Sequence, residues 1–301
     1  MWRQEGRIGL AREVLPPQMH GYDRLSDHPV LSSMLIAILA GLLLRLSRII
    51  ELSERLDSVF PSLYVPVRLT DFVFRMTMGA VLVFVAVPVI FGYSRKTGWL
   101  RRYLELMRFS MGDDPKTTVV AAALSFVGFI VVLVASAASA GVFFFNSSVL
   151  VEGDNWLILL AALIPGIWEE LAFRGVVLSN LQHRFSPWGA IMTSSVVFGL
   201  FHFSNLGSWD DPASVVAGAV AATALGIGWG YVVVRTNSIV PSMILHYLID
   251  VILYDELFID PGASDDSTAI VYVSVVFLFP VLTILTTRLL LTNRSESRAR
   301  N

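Results

Sequence analysis

The chain has 301 residues, of which 55% are hydrophobic and only 15% charged, whereas soluble domains carry about 25% charged residues. That balance excludes an ordinary water-soluble domain, and a formal net charge of −2 excludes a nucleic-acid binder, which needs a basic surface. The absence of cysteine removes disulfides, thiolate metal ligands and a cysteine nucleophile.

In chain order, residues 1–28 read as a polar N-terminal tail of mixed charge without a signal-peptide layout. The first apolar run, Val30 to Leu44, is then an uncleaved membrane helix. Eight segments reach or approach the ~20 residues needed to cross a bilayer: roughly 29–46, 72–93, 118–145, 156–180, 187–206, 213–235, 238–254 and 269–291. The first and seventh are short, and the first could be interfacial. The fold class is therefore all-α: a polytopic helical membrane protein with about eight transmembrane helices. It reads as one integral membrane domain over 29–291, with a catalytic core at about 150–255 and a C-terminal tail over 292–301.

Loop charge sets the orientation. Arg3, Arg7, Arg12 and Arg24 precede the first span. Arg95, Lys96, Arg101, Arg102, Arg108 and Lys116 follow the second, and Arg288, Arg294, Arg298 and Arg300 close the chain. Alternate loops are acidic or neutral, except the first, where Arg48, Arg55 and Arg68 balance Glu51, Glu54, Asp57 and Asp71. The expected topology has both termini cytoplasmic, in a prokaryotic plasma membrane. Trp99, Leu100, Tyr103, Leu104, Met107 and Met111 recur at helical spacing opposite Arg101, Arg102, Glu105 and Arg108. This is an amphipathic helix that either lies on the cytoplasmic leaflet or packs on the protein. Pro165 and Gly166 can open the fourth span, Gly226 and Gly230 form a GxxxG suited to close helix packing, and Trp156, Trp188 and Trp209 sit at span ends as interface anchors.

Three charged motifs interrupt the apolar segments: Glu169-Glu170-Leu171-Ala172-Phe173-Arg174, Phe198-Gly199-Leu200-Phe201-His202 and His246-Tyr247-Leu248-Ile249-Asp250. An ionisable group at the bilayer centre costs about 3 kcal/mol on insertion scales, so six of them point to function. On a helix Glu170 and Arg174 share a face and neutralise each other. Glu169 lies about 100° away, less compensated and suited to act as a general base. The competing reading is a helix-end salt bridge at the interface with Glu169 solvated. His202 could hold a water or a metal, with Phe198 walling the site, or be a packing histidine. Ser194, Ser195, Ser204 and Asn205 are its candidate partners or interhelical glue. His246 and Asp250 form either an imidazole oriented by a carboxylate, donating to an oxyanion or binding metal, or a helix end near the surface.

Glu-Glu-x-x-x-Arg, Phe-x-x-x-His and His-x-x-x-Asp, in this order on separate membrane helices, resemble the CPBP family: type II CAAX prenyl endopeptidases and their bacterial relatives linked to bacteriocin processing and self-immunity. The resemblance covers roughly residues 150–255. It implies an eight-helix membrane endopeptidase acting on a protein or peptide substrate at the lipid bilayer. Glu169 and His202 would activate water, His246 and Asp250 would line the oxyanion side, and Glu170 with Arg174 would support the first motif helix. Prenyl-protease members typically end the third motif in Asn. The acid here must be protonated, orient His246 or help bind a cation. The family has been viewed both as metalloproteases and as glutamate-dependent without metal. Glu169, His202 and His246 could ligate Zn with a water as fourth ligand. The sequence lacks His-Glu-x-x-His, Gly-x-Gly-Asp and Gly-x-Ser-x-Gly, which leaves other intramembrane mechanisms without their motifs. The alternatives are a proton-coupled transporter, which requires a second related charge set that the first three spans lack, and a non-catalytic immunity or scaffold protein.

Overall fold

A computed structural model describes residues 28–50, 67–95, 97–147, 157–206, 211–254 and 257–300. The N-terminal tail, most of the first loop, Trp156 and Trp209 lie outside these residues. In chain order the helices are α1 (Pro29–Ile50), α2 (Val67–Val81, continuing through a wide π turn at Leu82–Ala86 to Val87–Ile90), α3 (Trp99–Leu106) and α4 (Pro115–Ser139). An interrupted α5 follows, built from Ile158–Ala161, Pro165–Glu169, Leu171–Val177 and Leu178–Gln182. The rest are α6 (Pro187–Phe201, with a 3-10 turn at His202–Asn205), α7 (Pro212–Thr236), α8 (Val240–Ile249, then a π stretch at Asp250–Tyr254) and α9 (Asp265–Arg300). Among the described residues there is no strand, and an isolated bridge joins Phe143 to Ile259. The molecule is a polytopic all-α membrane protein.

Helix starts follow local chemistry. Asp114 accepts hydrogen bonds from the backbone N–H groups of Lys116 and Thr117, Asp211 from Ala213 and Ser214, and Ser186 from Gly189. In each case a proline follows in the first turn, where its missing N–H costs nothing. Asn237 ends α7 in the left-handed region at φ 54°.

Five helices are long and apolar enough to cross a membrane: Pro29–Leu46, Phe72–Ile90, Pro115–Ser139, Pro212–Thr236 and Asp265–Leu291. The other three expected spans are α5, α6 and α8, and they carry the three motifs. α5 is broken by two π stretches, α8 runs into a third, and the 15 residues of α6 reach only about 22 Å against a hydrocarbon core of about 30 Å. Irregular helix is tolerated at membrane depth where protein surrounds it. α7 packs along α6 and α9, α4 runs beside α9, and α8 is enclosed by α4, α7 and the Pro165–Glu169 stretch. The π stretches bond with i→i+5 spacing, and in three of the four described ones a carbonyl accepts from a neighbouring hydroxyl: Val83 from Tyr103 at 2.8 Å, Phe173 from Ser194 at 3.1 Å, and Leu253 from Tyr272 at 2.9 Å.

Two expectations change. The third span was expected to run to residue 145, but α4 stops at Ser139 because Gly141 turns the chain at φ 72°. Residues 142–146 then run extended beside 257–260, with Asn146 N–H donating to Leu257 O and Asp260 N–H to Val142 O, both at 2.9 Å. The amphipathic segment is helical only to Leu106 and packs on the protein, since Tyr103, Leu106 and Met107 are buried in the main core. Arg108 leaves the polar face assigned to it: at φ 55° it turns inward and donates to Gln182 Oε1 at 2.5 Å. Leu100 and Met111 are exposed. Trp188 is exposed at the start of α6, its ring tilted 31° against Tyr231 at 5.4 Å, as an interface anchor would be.

The glycines set the helix spacing. A Cβ on Gly230 would lie 3.3 Å from Ile191, and one on Gly228 would lie 3.0 Å from Pro280 Cα. A Cβ on Gly199 would meet Ala219 O at 2.6 Å and collide with the Thr223 hydroxyl. Gly199→Ala is expected to destabilise by about 1–3 kcal/mol through overpacking. Gly128→Ala, whose Cβ would meet Leu282 at an ordinary 3.7 Å, is expected to leave thermal unfolding in detergent nearly unchanged.

Candidate active site

The site begins with how α5 and α8 come together. Pro165 lacks the N–H that a regular helix would use, and the first π stretch of α5 starts there. Gly166 follows, and a Cβ on it would sit 3.1 Å from Tyr247 Cβ and 3.3 Å from Met243 O. Only a bare backbone allows α8 this close. One turn later the approach brings Glu170 to His246.

Glu170 is the hub. Its Oε1 lies 2.9 Å from Arg174 Nη1 and accepts a hydrogen bond from His246 Nδ1, also at 2.9 Å. The carboxylate is fully buried and Arg174 is 1% exposed, so the helix-end reading of this pair does not describe it. The guanidinium lies beside Oε1 off the hydrogen-bonding direction, and neither Nη1 nor Nη2 makes a hydrogen bond. Instead it lies over Phe198 at 4.0 Å and near Trp229 at 5.1 Å, where the ring faces attract its charge. Trp229 also stacks on His246, with centroids 4.4 Å apart and planes at 25°. Gly226 makes room for this, because a Cβ there would come within 2.9 Å of Arg174 Nη2.

His202 closes α6. Its Nδ1 lies 3.0 Å from Phe198 O, and its ring stands perpendicular to Phe198 at 4.8 Å. A carbonyl oxygen only accepts, so Nδ1 carries the hydrogen, a tautomer assigned from the partner, and the neutral ring keeps its lone pair on Nε2. His202 is within electrostatic reach of His246 and Arg174. Glu169 is buried rather than solvated, within reach of Glu170, Arg174 and Arg75. Asp250 begins the π stretch that ends α8, with Oδ2 3.7 Å from His246 Nε2, beyond hydrogen-bond distance. Ser194 and Ser195 bond backbone carbonyls and act as structural glue.

Among the described residues no group of three or more His, Asp or Glu is placed to hold a metal. Nδ1 of His246 faces Glu170 and Nδ1 of His202 faces a carbonyl, which leaves the Nε2 lone pairs as the only ring donors. Glu169, His202 and His246 are not drawn together as a ligand set among the described residues and so do not fit a Zn centre as arranged.

Sequence reasoning paired Glu170 with Arg174 but missed the link from Glu170 to His246, the stacking by Trp229 and the nearness of Arg75 to Glu169. Helical spacing reports neighbours within one helix, and all three relations cross between helices. The available signal was Trp229 sitting inside Gly226-x-Gly228-x-Gly230, a large ring within a stripe built for close approach.

This is a polytopic membrane protein whose buried charges converge from three separate helices. Residues 152–252 match the family described as Rce1-like, type II CAAX prenyl endopeptidase Rce1-like. The match spans about a third of the chain and includes all three motifs. Neither curated proteins nor solved structures give a match.

Removing one partner of a fully buried ion pair costs about 3–5 kcal/mol. Glu170→Gln should therefore lower the unfolding midpoint of the purified protein by several degrees, and Arg174→Gln should do the same. The double variant should lose much less than the sum of the two, as a double-mutant cycle by differential scanning fluorimetry would read.

Proposed function

We propose that the protein is an intramembrane endopeptidase that hydrolyses a peptide bond of a membrane-associated protein or peptide with water activated by Glu169 and His202. Glu169 takes a proton from the water as the water oxygen bonds to the carbonyl carbon. It returns that proton to the leaving nitrogen as the C–N bond breaks. His202, with Nδ1–H held by Phe198 O, offers the Nε2 lone pair to the same water. His246 and Asp250 stand on the side where the oxyanion develops.

An ionised carboxylate would repel that oxyanion, so the protonation of Asp250 matters. Glu170 and Arg174 cancel each other's charge. With His246 neutral, a proton on Asp250 then leaves the four groups at net zero charge, the state a low-dielectric interior favours. The acid in place of the usual Asn serves as a donor when the proton resides on it.

The observation that carries this reading is the Glu170 carboxylate, which joins the first motif to the third inside the protein. A packing or immunity role requires no such convergence of acid, imidazole and guanidinium. Loop charge supports a topology with both termini cytoplasmic.

In proteoliposomes supplied with membrane-anchored peptides, Glu169→Gln should lower cleavage by about 10²–10⁴-fold, the usual range for a lost general base, with the unfolding midpoint unchanged. His202→Gln should do likewise. Cleavage at wild-type rate by Glu169→Gln would remove the mechanism, and no cleavage by the wild-type chain would return the scaffold reading.

A further inference from the structure

α1 lies outside the segment that matches the family, yet its far end meets the turn that carries His202. α6 gives way there to the 3-10 turn His202–Asn205, and Leu206 leaves the turn in an extended conformation at ψ 128°. A helix end leaves backbone carbonyls without partners inside the helix. The Leu206 carbonyl finds its partner across 161 positions of sequence, where Arg45 Nη2 of α1 donates to it. One helical turn earlier, Gly41 lies against Ser204, and a Cβ on that glycine would sit 3.1 Å from the serine Cβ.

Gly41 and Arg45 are four residues apart and share a face of α1, so one stripe of that helix meets the turn at two points. Ser204 Oγ is buried and makes no hydrogen bond, so the turn is not held through that hydroxyl. Arg45 stands one residue from the end of the apolar span Pro29–Leu46, where an anchoring arginine would reach for headgroups. This one turns to a backbone carbonyl instead. A cationic donor bonds a carbonyl more strongly than a neutral one, and a cation suits the negative end of a helix. The bond from His202 Nδ1 to Phe198 O ties the ring to its own helix but leaves open where that helix end sits relative to Glu169 on α5. α1 settles that relation, because it packs against α6, against the 3-10 turn and against the Leu171–Val177 stretch of α5.

We propose that Arg45 is a positioning residue for His202: with Gly41 it clamps the 3-10 turn and so fixes the imidazole against Glu169. The working unit then extends beyond residues 152–252 to α1. The effect on rate rests on the endopeptidase reading, whereas the effect on the imidazole does not.

The test uses the full-length protein in phosphatidylcholine nanodiscs with two readouts: steady-state cleavage of a membrane-anchored peptide, and nitrogen NMR spectra of labelled histidine rings, with His202 assigned by its loss in His202→Gln. Arg45→Gln should lower kcat about ten- to a hundredfold, the scale of a misplacement of about an ångström, with KM within about twofold. It should also split or broaden the His202 ring signals. Arg45→Lys keeps a cationic donor and should recover kcat to within about threefold. Gly41→Ala should mimic Arg45→Gln, and Ser204→Gly, which removes the Cβ that the alanine would meet, should restore the rate in the double variant. Undisturbed His202 signals in Arg45→Gln overturn the proposal, whatever the rate does. A loss of kcat that Arg45→Lys leaves unrepaired and that follows the unfolding midpoint overturns it too, since the arginine would then serve stability alone. Disturbed signals at an unchanged rate leave the clamp standing and take His202 out of the reaction. If the wild-type chain cleaves nothing, the endopeptidase reading falls and the ring signals still decide the clamp.

Discussion

One carboxylate with no exposed surface holds the centre of this molecule together. Glu170 is approached by Arg174 from its own helix and by His246 from α8, each at 2.9 Å. An uncompensated charge in that position would cost several kcal/mol even after relaxation. The surroundings are arranged around that cost: Gly166 brings α8 near, Gly226 clears space for the guanidinium, and Phe198 and Trp229 present ring faces to the cation. The same interaction fixes the His246 tautomer, because the ring nitrogen facing Glu170 must carry the hydrogen. α5 and α8 are therefore tied through one group and cannot shift independently.

The irregular backbone is the second constraint. The wide stretches in α5 and α8 contain Glu169, Arg174 and Asp250, with Glu170 at the junction of two of them. A helix of this kind turns its side chains through smaller steps per residue than a regular one, which alters where consecutive residues such as Glu169 and Glu170 aim. It also leaves carbonyls that regular spacing would have used. Tyr103, Ser194 and Tyr272 answer them from neighbouring elements. Neighbouring helices pack against these stretches, as α4 and α7 do against α8, shielding from lipid a backbone that could not survive against it.

Much of this was legible in the sequence. Apolar length and charge scarcity gave the class, and the three motifs gave the charged residues. Pro165 with Gly166 marked where α5 departs from regular geometry. Other features were hidden for physical reasons. The end of α4 depends on a left-handed Gly141 inside an unbroken apolar run, which hydropathy reads as more helix. Arg108 looks like a solvated face residue until Gln182, 74 positions on, supplies its partner. The roles of Trp229 and Arg75 rest on neighbours from other helices, which periodicity along one helix cannot report.

The extended run after α4 has a mechanical consequence. Its backbone bonds to residues 257–260 lash the end of α4 to the segment between α8 and α9. Those three helices therefore form a buttress on one flank, and their far ends cannot splay apart without breaking the lashing.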